Sequence, residues 1–262
     1  MRIAVASGKG GTGKTTIAVN LAYFNSVDLF DLDVEEPNAH LFFRGEKTEK
    51  KAYRKIPRVK ENCNGCGVCK DVCNYSAIFV IDKAYVFPEL CHSCGACSYF
   101  CPENAIEEVD WEIGKIVTIY SDIKVVYGEL KIGEASPVFL IKQVKNLIGD
   151  KAIIDCPPGN SCPMVESVID ADYVILVAEP TPFSLHDLKL AVNVVSELKK
   201  SFGVVINKYG LPFDGVDRYC KENGIDVIGR IPFKTEIAKS YSRGELLHDF
   251  KDLFREIYEV IS

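Results

Sequence analysis

The feature that most constrains the fold is a glycine-rich loop near the N-terminus. It fits the spacing G-x-x-x-x-G-K-[ST] over the residues Gly8-Lys9-Gly10-Gly11-Thr12-Gly13-Lys14-Thr15. The apolar run Arg2–Ser7 before it predicts a buried strand, and Thr15–Phe24 after it has a helical pattern. In such a loop backbone N–H groups turn inward around phosphate oxygens, and the following helix points its positive dipole end at the same oxygens. We therefore expect a strand–loop–helix unit that binds a nucleotide phosphate.

Two side chains of this loop supply its chemistry. Lys14 can reach the β- and γ-phosphates, and the Thr15 hydroxyl can ligate Mg²⁺. A plain glycine-rich turn is the alternative, and the strand and helix on either side argue against it. The loop residues expected to bind ATP are Gly8, Lys9, Gly10, Gly11, Thr12, Gly13, Lys14, Thr15 and Thr16.

Most of the remaining chain alternates predicted strands and helices. The predicted strands are Val27–Asp31, Ala152–Asp155, Tyr173–Ala178, Gly203–Asn207 and Asp226–Ile231, and a hairpin is predicted from Lys115–Tyr120 and Lys124–Ile132. The predicted helices lie near Met164–Ile169, Ser184–Leu198, Asp214–Asn223 and Asp249–Ile261, and Ser136-Pro137 should open another helix that ends at Ile148. This alternation predicts the α/β class, with a mainly parallel, doubly wound P-loop NTPase sheet.

Eight of the eleven cysteines form an internal repeat. The two runs, which start 28 residues apart, are Cys63-x2-Cys66-x2-Cys69-x3-Cys73 and Cys91-x2-Cys94-x2-Cys97-x3-Cys101. Spacing of this kind wraps three thiolates around one [4Fe–4S] cluster, and the fourth cysteine of the run reaches the other cluster. The first predicted ligand set is Cys63, Cys66, Cys69 and Cys101, and the second is Cys91, Cys94, Cys97 and Cys73.

Two zinc sites are the alternative for these cysteines, but tetrahedral zinc uses separated C-x-x-C pairs. The repeat resembles two-cluster bacterial ferredoxins, although Asn74 stands where proline is expected after the first run. It predicts an inserted α+β bacterial-type ferredoxin domain at residues 57–110, within a discontinuous P-loop ATPase domain at 1–56 and 111–262. The charged segment 46–60 is interpreted as the linker into the insert, and a solvated surface loop is compatible with it.

Composition narrows the choice of partners and compartment. The formal net charge of −6 does not suggest a nucleic-acid partner. The N-terminus shows no signal-peptide pattern, and no apolar run approaches the length that spans a bilayer. We therefore expect a cytoplasmic protein without a membrane partner, in which clustered cysteines bind metal rather than form disulfides.

The loop sequence Lys-Gly-Gly-Thr-Gly-Lys-Thr-Thr, with its early lysine Lys9, resembles the deviant Walker A motif of the MinD/ParA/Mrp ATPases. The resemblance implies an ATP-sandwich homodimer in which Lys9 reaches the partner subunit's nucleotide, a role like that of an arginine finger. Asp31-Leu32-Asp33 resembles switch I of the family, and the matched role of Asp33 is to orient the attacking water. The implied catalytic residues are Lys9, Lys14, Asp33 and Asp155.

Two later segments extend the resemblance. Ile153-Ile154-Asp155-Cys156-Pro157-Pro158-Gly159 resembles Walker B and switch II, so Asp155 would hold Mg²⁺ through water and the Gly159 amide would sense the γ-phosphate. Asn207 would hydrogen-bond adenine, and Pro232-Phe233 would wall the base. Each acidic residue, taken alone, could equally be a helix cap.

The two sites together favour an ATPase in which nucleotide-dependent dimer switching gates electron transfer to a protein partner. One alternative is a factor that assembles Fe–S or other metal cofactors for an apo-metalloprotein client. A second is a positioning protein without redox chemistry, like MinD. Cys156 and Cys162 flank switch II and are interpreted as small buried hydrophobes or as a redox-active thiol pair, whereas Cys220 is interpreted as structural.

Overall fold

The structure is a computed structural model that describes residues 1–134 and 136–262. The strands are β1 Arg2–Ala6, β2 Leu29–Asp31, β3 Glu46–Val59, β4 Ile78–Val80, β5 Ala84–Val86, β6 Ile106–Tyr120, β7 Lys124–Leu130, β8 Ala152–Asp155, β9 Tyr173–Ala178, β10 Ser201–Tyr209 and β11 Val227–Pro232. The helices are α1 Lys14–Phe24, α2 Val68–Asp71, α3 Ala96–Tyr99, α4 Val138–Lys145, α5 Cys162–Val168, α6 Pro182–Glu197, α7 Gly215–Glu222, α8 Thr235–Ser242 and α9 Lys251–Ile261. Short 3₁₀ turns lie at Ala39–Phe42, Pro88–Leu90 and His248–Phe250.

The main sheet runs in the order β11-β10-β9-β1-β8-β2-β7-β6-β3. Every pairing from β11 to β7 is parallel. β1 is apolar after Arg2, and Ile3–Ala6 are fully buried, as expected for a strand of a parallel sheet that is covered on both faces. The predicted α/β class with a mostly parallel sheet is confirmed.

The sheet brings the predicted nucleotide residues to one edge. In the register of β1 and β8, Val5 lies opposite Asp155, and in that of β2 and β8, Asp31 lies opposite Asp155. The carboxyl ends of these strands therefore lie together. In open α/β sheets this edge is where ligands bind.

The chain divides into two compact units. The first comprises Met1–Glu49, Ile116–Glu129 and Ile141–Ser262, and the second comprises Lys50–Lys115 and Leu130–Leu140. The predicted insert, residues 57–110, lies within the second unit. β4 and β5 form an antiparallel hairpin there. The short helices α2 and α3 begin directly after Gly67 and Gly95, which are glycines of the two cysteine runs.

The linker predicted for residues 46–60 is wrong, because this segment forms the long strand β3. From Ala52 onwards its side chains alternate in burial: Ala52, Arg54 and Ile56 are buried, while their neighbours Tyr53 and Lys55 are exposed. The alternation was hidden because an arginine occupies the buried face. α8 was not predicted from the sequence, and α4 ends at Lys145 rather than at Ile148. Within the described residues, no helix has the length and apolar character that crossing a bilayer requires.

Candidate nucleotide and metal sites

The glycine-rich loop connects β1 to α1 and needs glycine at defined points. A Cβ at Gly13 would lie 2.2 Å from Nδ2 of Asn207, and one at Gly8 would lie 2.2 Å from the Asp187 carbonyl oxygen. Gly13 also has φ +93°, which L side chains rarely adopt. Packing against the neighbouring segments therefore fixes the loop that was predicted to hold phosphates.

Lys14, Thr15 and Asp155 meet at the carboxyl edge of the sheet. The Thr15 side chain donates a hydrogen bond to the Asp155 carboxylate. Burial raises the pKa of Asp155 to about 6, and the Lys14 ammonium opposes that shift. Among the residues that the structure describes, Oδ1 of Asp155 has no hydrogen-bond partner. A buried carboxylate oxygen left open beside a threonine hydroxyl fits a hydrated Mg²⁺ ion.

The two aspartates of Asp31-Leu32-Asp33 have different surroundings. Asp31 is fully buried, and its carboxylate accepts hydrogen bonds from the backbone N–H groups of Asp33, Asn38 and Ala39, each at 3.0 Å. Asp31 therefore holds the loop that follows β2. Asp33 is half-buried; burial raises its pKa to about 6, and the charge of Lys14 opposes this. Asp33 accepts one backbone hydrogen bond, from Glu36, so of the two carboxylates it has more capacity left for a water molecule.

The Gly159 N–H group donates to the Ser7 carbonyl oxygen at 3.0 Å. This is the amide predicted to sense the γ-phosphate. It is engaged with the end of the β1 segment here, so binding a phosphate would require this bond to be exchanged. The Asn160 side-chain oxygen next to it is buried without a hydrogen-bond partner in the described part of the chain.

Lys9 lies against its own chain. Its Nζ is 3.6 Å from Oε2 of Glu179, and its side chain is 31% exposed. Glu179 follows β9 and also forms an ion pair with Lys208 at the end of β10. The Glu179 backbone N–H donates to Ser184 Oγ at 2.9 Å, which ties the backbone after β9 to the first turn of α6. Lys9 would have to leave this pair to act on another subunit.

A cavity of about 280 Å³ opens beside the loop. Its walls include Gly11, Gly13, Asn207, Pro232 and Phe233, so the structure brings the predicted base-binding residues together. Nδ2 of Asn207 donates to the Thr12 carbonyl oxygen at 2.8 Å, so this side chain also anchors the phosphate loop. The volume is close to the lower end of the roughly 300–1,000 Å³ typical of ligand pockets.

One wall of this cavity was not predicted from the sequence. Helix α8 contributes Ile237, Ala238 and Tyr241, and Lys234 precedes it. No side-chain cap marks the start of α8, and its composition is mixed. The available signal was Pro232 at the end of β11. It belongs to the predicted base wall, so the segment directly after it could be expected near the base.

In the second unit, the structure gathers each predicted set of four cysteines into its own cavity. One cavity is lined by Cys63, Cys66, Cys69 and Cys101, and the other by Cys73, Cys91, Cys94 and Cys97. All eleven cysteines are free thiols. The fourth cysteine of each run therefore lines the cavity of the other run.

Cysteine sulfurs accept local hydrogen bonds in both cavities. Backbone N–H groups donate to cysteine sulfurs: Ala77 to Cys73 at 3.4 Å, Ser93 to Cys91 at 3.4 Å, and Ala105 to Cys101 at 3.3 Å. Such donors stabilise thiolate ligands of Fe–S clusters. Burial raises the pKa of Cys97 to about 11, so binding iron would release its proton. The described residues contain no group of three or more His, Cys, Asp or Glu side chains converging on one metal ion.

Three remaining cysteines were singled out by sequence. Cys156 is fully buried, and its burial raises the pKa of its thiol, whereas Cys162 is exposed in the first turn of α5. The interpretation as buried hydrophobes therefore fits Cys156 and not Cys162. Cys220 is buried on α7.

The fold and the phosphate loop together define a P-loop nucleotide-binding protein. Residues 3–247 match the CobQ/CobB/MinD/ParA nucleotide binding domain family, and the chain belongs to this family. The solved structures that it resembles include septum site-determining MinD from Pyrococcus horikoshii in complex with Mg-ADP. That match has a TM-score of 0.61 and 18% identity, and it covers 100% of this chain and 95% of that one. A singly substituted McdA from Cyanothece, in complex with ATP, matches with a TM-score of 0.59 and 17% identity over 99% of this chain and 94% of that one.

Two relatives in sequence cover nearly the whole chain. An uncharacterized protein of Methanocaldococcus jannaschii is 34% identical, with 99% of this chain and 95% of the relative covered. An iron-sulfur cluster carrier protein of Pyrococcus furiosus is 26% identical, with 93% of this chain and 77% of the relative covered.

Proposed function

We propose that this chain is an ATPase whose nucleotide-dependent homodimerisation gates electron transfer through two [4Fe–4S] clusters. The single observation that carries this proposal is that the eight clustered cysteines divide between two cavities, four to each. A protein that only switched its position on binding ATP would have no use for such cavities.

The nucleotide chemistry follows from the residues at the sheet edge. Lys14 neutralises charge on the β- and γ-phosphates, and Thr15 with Asp155 holds the hydrated Mg²⁺. Asp33 orients the attacking water, because its carboxylate accepts fewer backbone hydrogen bonds than that of Asp31. The adenine base occupies the cavity walled by Pro232 and Phe233, next to Asn207.

A second subunit completes this site. Lys9 leaves Glu179 and reaches the nucleotide of the facing protomer, which supplies positive charge where negative charge accumulates in the transition state. The Gly159 amide exchanges the Ser7 carbonyl for the γ-phosphate, so switch II has one arrangement with ATP and another without it. Support for a homodimer is the pattern of loop residues together with the partial exposure of Lys9, whose side chain is 31% exposed.

The cysteines of the second unit would hold the clusters, which supply one-electron chemistry when bound. The backbone amides of Ala77, Ser93 and Ala105 then stabilise the ligand thiolates. Hydrophobic side chains around Cys69 and Cys97, including Ile78 and Ile106, limit the access of water to these ligands. The partner is a protein electron donor or acceptor.

A carrier of Fe–S clusters for apo-metalloprotein clients is the second candidate. The observation that favours it is the name of several relatives, including the Pyrococcus furiosus protein at 26% identity. Under this proposal the clusters are cargo and leave the chain. Cys66 and Cys94 are the exposed thiols of the two runs, from which such a transfer would start.

One anaerobic experiment separates the two candidates. The chain is reconstituted with iron and sulfide, desalted, and mixed with an apo-ferredoxin, with and without ATP. We expect about eight irons per chain to stay bound and the rate of electron transfer to a one-electron acceptor to depend on ATP. ATP-dependent appearance of iron in the apo-ferredoxin would instead establish the carrier.

Single substitutions test the nucleotide site and the cysteine ligands separately. Lys14→Ala should abolish ATP binding, whereas Lys221→Ala, on the exposed face of α7, should leave it unchanged. Cys94→Ser should lower the iron content to about four per chain, whereas Cys162→Ser, which also replaces an exposed cysteine, should retain about eight. Full iron content in Cys94→Ser would contradict the ligand assignment.

A further inference from the structure

A buried ion pair lies in the second unit. Arg54, on β3, binds Glu134, and their side chains are only 2% and 4% exposed. Among the described residues of this unit, Arg54 is the single charged residue that is buried when its backbone and side chain are counted together. Burying a separated charge is costly, and buried pairs often stabilise no more than apolar residues of similar size would. Stability alone is therefore a weak explanation for a buried ion pair such as this one.

Arg54 uses every N–H group of its guanidinium. Nε donates to Glu134 Oε2 at 2.9 Å, and Nη2 donates to Glu134 Oε1 at 3.1 Å and to the Pro88 carbonyl oxygen at 2.8 Å. Nη1 donates to the Cys91 carbonyl oxygen at 2.8 Å and to Ser93 Oγ at 3.4 Å. These are the five donors that an arginine has. The side chain therefore has one position, and its Nη1 end faces the Cys91 loop.

The carboxylate lies on a different edge of the guanidinium. Glu134 accepts from Nε and Nη2 and also accepts a hydrogen bond from Trp111 Nε1 at 3.0 Å. Nη1, which faces Cys91 and Ser93, makes no bond to it. The pair is thus a fixed dipole whose positive end is directed at one predicted ligand loop. Ser93, which Arg54 holds, donates its backbone N–H to Cys91 Sγ.

The first cysteine run lacks this arrangement. The repeat places Cys63 where the second run has Cys91, and Gly65 where it has Ser93, so the hydroxyl that accepts from Arg54 has no counterpart. In the part of the chain that the structure describes, no buried arginine or lysine lies in the cavity wall around Cys63. Lys60 precedes this run, is exposed, and donates to the Asn104 carbonyl oxygen.

We propose that Arg54 is a positioning residue that makes the two clusters unequal. On the proposed function, it raises the reduction potential of the cluster on Cys73, Cys91, Cys94 and Cys97 above that of the cluster on Cys63, Cys66, Cys69 and Cys101. The physical reason is that a fixed positive end in a low-dielectric interior favours the more negative, reduced state of the nearby cluster. The first electron to enter the second unit then resides on the cluster beside Arg54.

The test measures potentials rather than activity. Reconstituted full-length chains are titrated anaerobically with dithionite, and the one-electron reduction of each cluster is followed by electron paramagnetic resonance. Cys94→Ser identifies the signal that belongs to the first cluster. Iron and sulfide per chain are measured on every sample.

Arg54→Met and Glu134→Gln should shift the second cluster in opposite directions. At the potential where that cluster is half reduced in the unaltered chain, Arg54→Met should lower its reduced-to-oxidised ratio about tenfold, which is 59 mV for one electron. Glu134→Gln leaves the arginine uncompensated and should raise the ratio. Arg54→Lys keeps the charge and should retain most of the difference between the clusters.

Lys55→Met is the matched control. Lys55 neighbours Arg54 on β3 and pairs with Asp110 at 2.9 Å, but both side chains are more than half exposed, so solvent screens the charge. Neither cluster should shift in this variant. If Arg54→Met does not fold, Glu134→Gln and Arg54→Lys still decide the matter.

Three results would overturn the inference. Shifts of the same sign in both pair variants, or no shift at about eight irons per chain, would show that the pair is only structural. Equal potentials of the two clusters in the unaltered chain would show that they are not made unequal at all. Failure of the unaltered chain to take up iron would instead contradict the proposed function on which the inference rests, and the iron assay reports that separately.

Discussion

The nucleotide edge gathers carboxylates that are unfavourable without a cation. Burial raises the pKa values of Asp33 and Asp155 to about 6, and Lys14 offsets only part of this effect. Asp31 is buried beside Asp155 and its pKa is raised as well, although three backbone donors hold its carboxylate. The free chain therefore maintains charges whose stabilisation would come from Mg²⁺ and the nucleotide.

Asp33→Asn should make the nucleotide-free chain more stable while slowing ATP hydrolysis. Because the folded pKa of Asp33 lies above the unfolded value, the carboxylate destabilises the fold once it is ionised. We expect a gain of about 1–2 kcal/mol at pH 8, less than the full shift implies because Asp33 is partly exposed. Urea unfolding measures the gain, and the ATPase rate should fall by at least about a hundredfold.

The pH dependence provides the control for this prediction. The unaltered chain should lose stability as pH rises from about 4 to beyond 6, since its folded state then binds more protons than its unfolded state. Asp33→Asn removes the Asp33 part of this loss and leaves that of Asp155, so the difference between the two chains should be smallest near pH 3.5 and largest at pH 8. A difference that does not change with pH would show that the charge of Asp33 is not its cause.

Glu179→Gln should strengthen ATP-dependent dimerisation. Lys9 must leave Glu179 to reach a facing subunit, and a partly exposed pair at 3.6 Å contributes no more than about 1 kcal/mol. The dimer dissociation constant with ATP, measured by analytical ultracentrifugation, should therefore fall up to about fivefold. Glu222→Gln, on the exposed side of α7, is the matched control and should change nothing. Weaker dimerisation of Glu179→Gln would mean that Glu179 helps Lys9 rather than holding it.

At the scale of elements, the connection from β11 to α8 forms the base wall. Phe233 lines the cavity and is 60% exposed, so its ring contributes little to the stability of the fold. Phe233→Ala should lower ATP affinity about tenfold, as expected for losing one aromatic contact of roughly 1 kcal/mol together with buried apolar area. Isothermal titration measures the affinity, with the unfolding midpoint as a check.

Phe183→Ala is the control for this variant. Phe183 is also an exposed phenylalanine, 79% accessible at the start of α6, and it is not among the residues that line the cavity. Its removal should leave ATP affinity unchanged. Equal losses of affinity in the two variants would show that Phe233 does not wall the base.

Elements differ in how well the sequence alone predicts them, and the reason is physical. β8 and β9 are continuous apolar runs bounded by turn residues, so their predicted and observed bounds coincide. β3 was missed because tertiary contacts bury the charged side chain of Arg54 on a strand face where apolar residues are expected. α8 was missed because it is a helix of 8 residues with no buried residue and no side-chain cap, so little in the sequence marks it as a helix. The cysteine sets were predictable because ligand spacing is a local constraint, whereas the neutralising partner of Arg54 lies 80 residues away.

At the scale of the whole molecule, each unit has its own site. All the predicted nucleotide residues fall in the first unit, and all eight clustered cysteines fall in the second. The two sites should therefore load independently. We expect Lys14→Ala to bind about eight irons and Cys94→Ser to bind ATP with normal affinity. If either variant lost both ATP binding and iron, the two sites would not load independently, and the prediction would be contradicted.

Coupling between the two sites is then a measurable free energy, and it must be reciprocal. If ATP shifts the reduction potential of a cluster, reduction must change ATP affinity by the same factor. We expect ATP affinity of the reconstituted chain to differ by about fivefold or more between its oxidised and dithionite-reduced forms, since couplings of about 1–3 kcal/mol are typical. Cys94→Ser, which lacks one cluster, should show a smaller difference, and Cys162→Ser should match the unaltered chain. Identical ATP affinity in both redox states, with iron retained, would exclude ATP-gated potentials and leave the nucleotide to act only on partner binding or on cluster delivery.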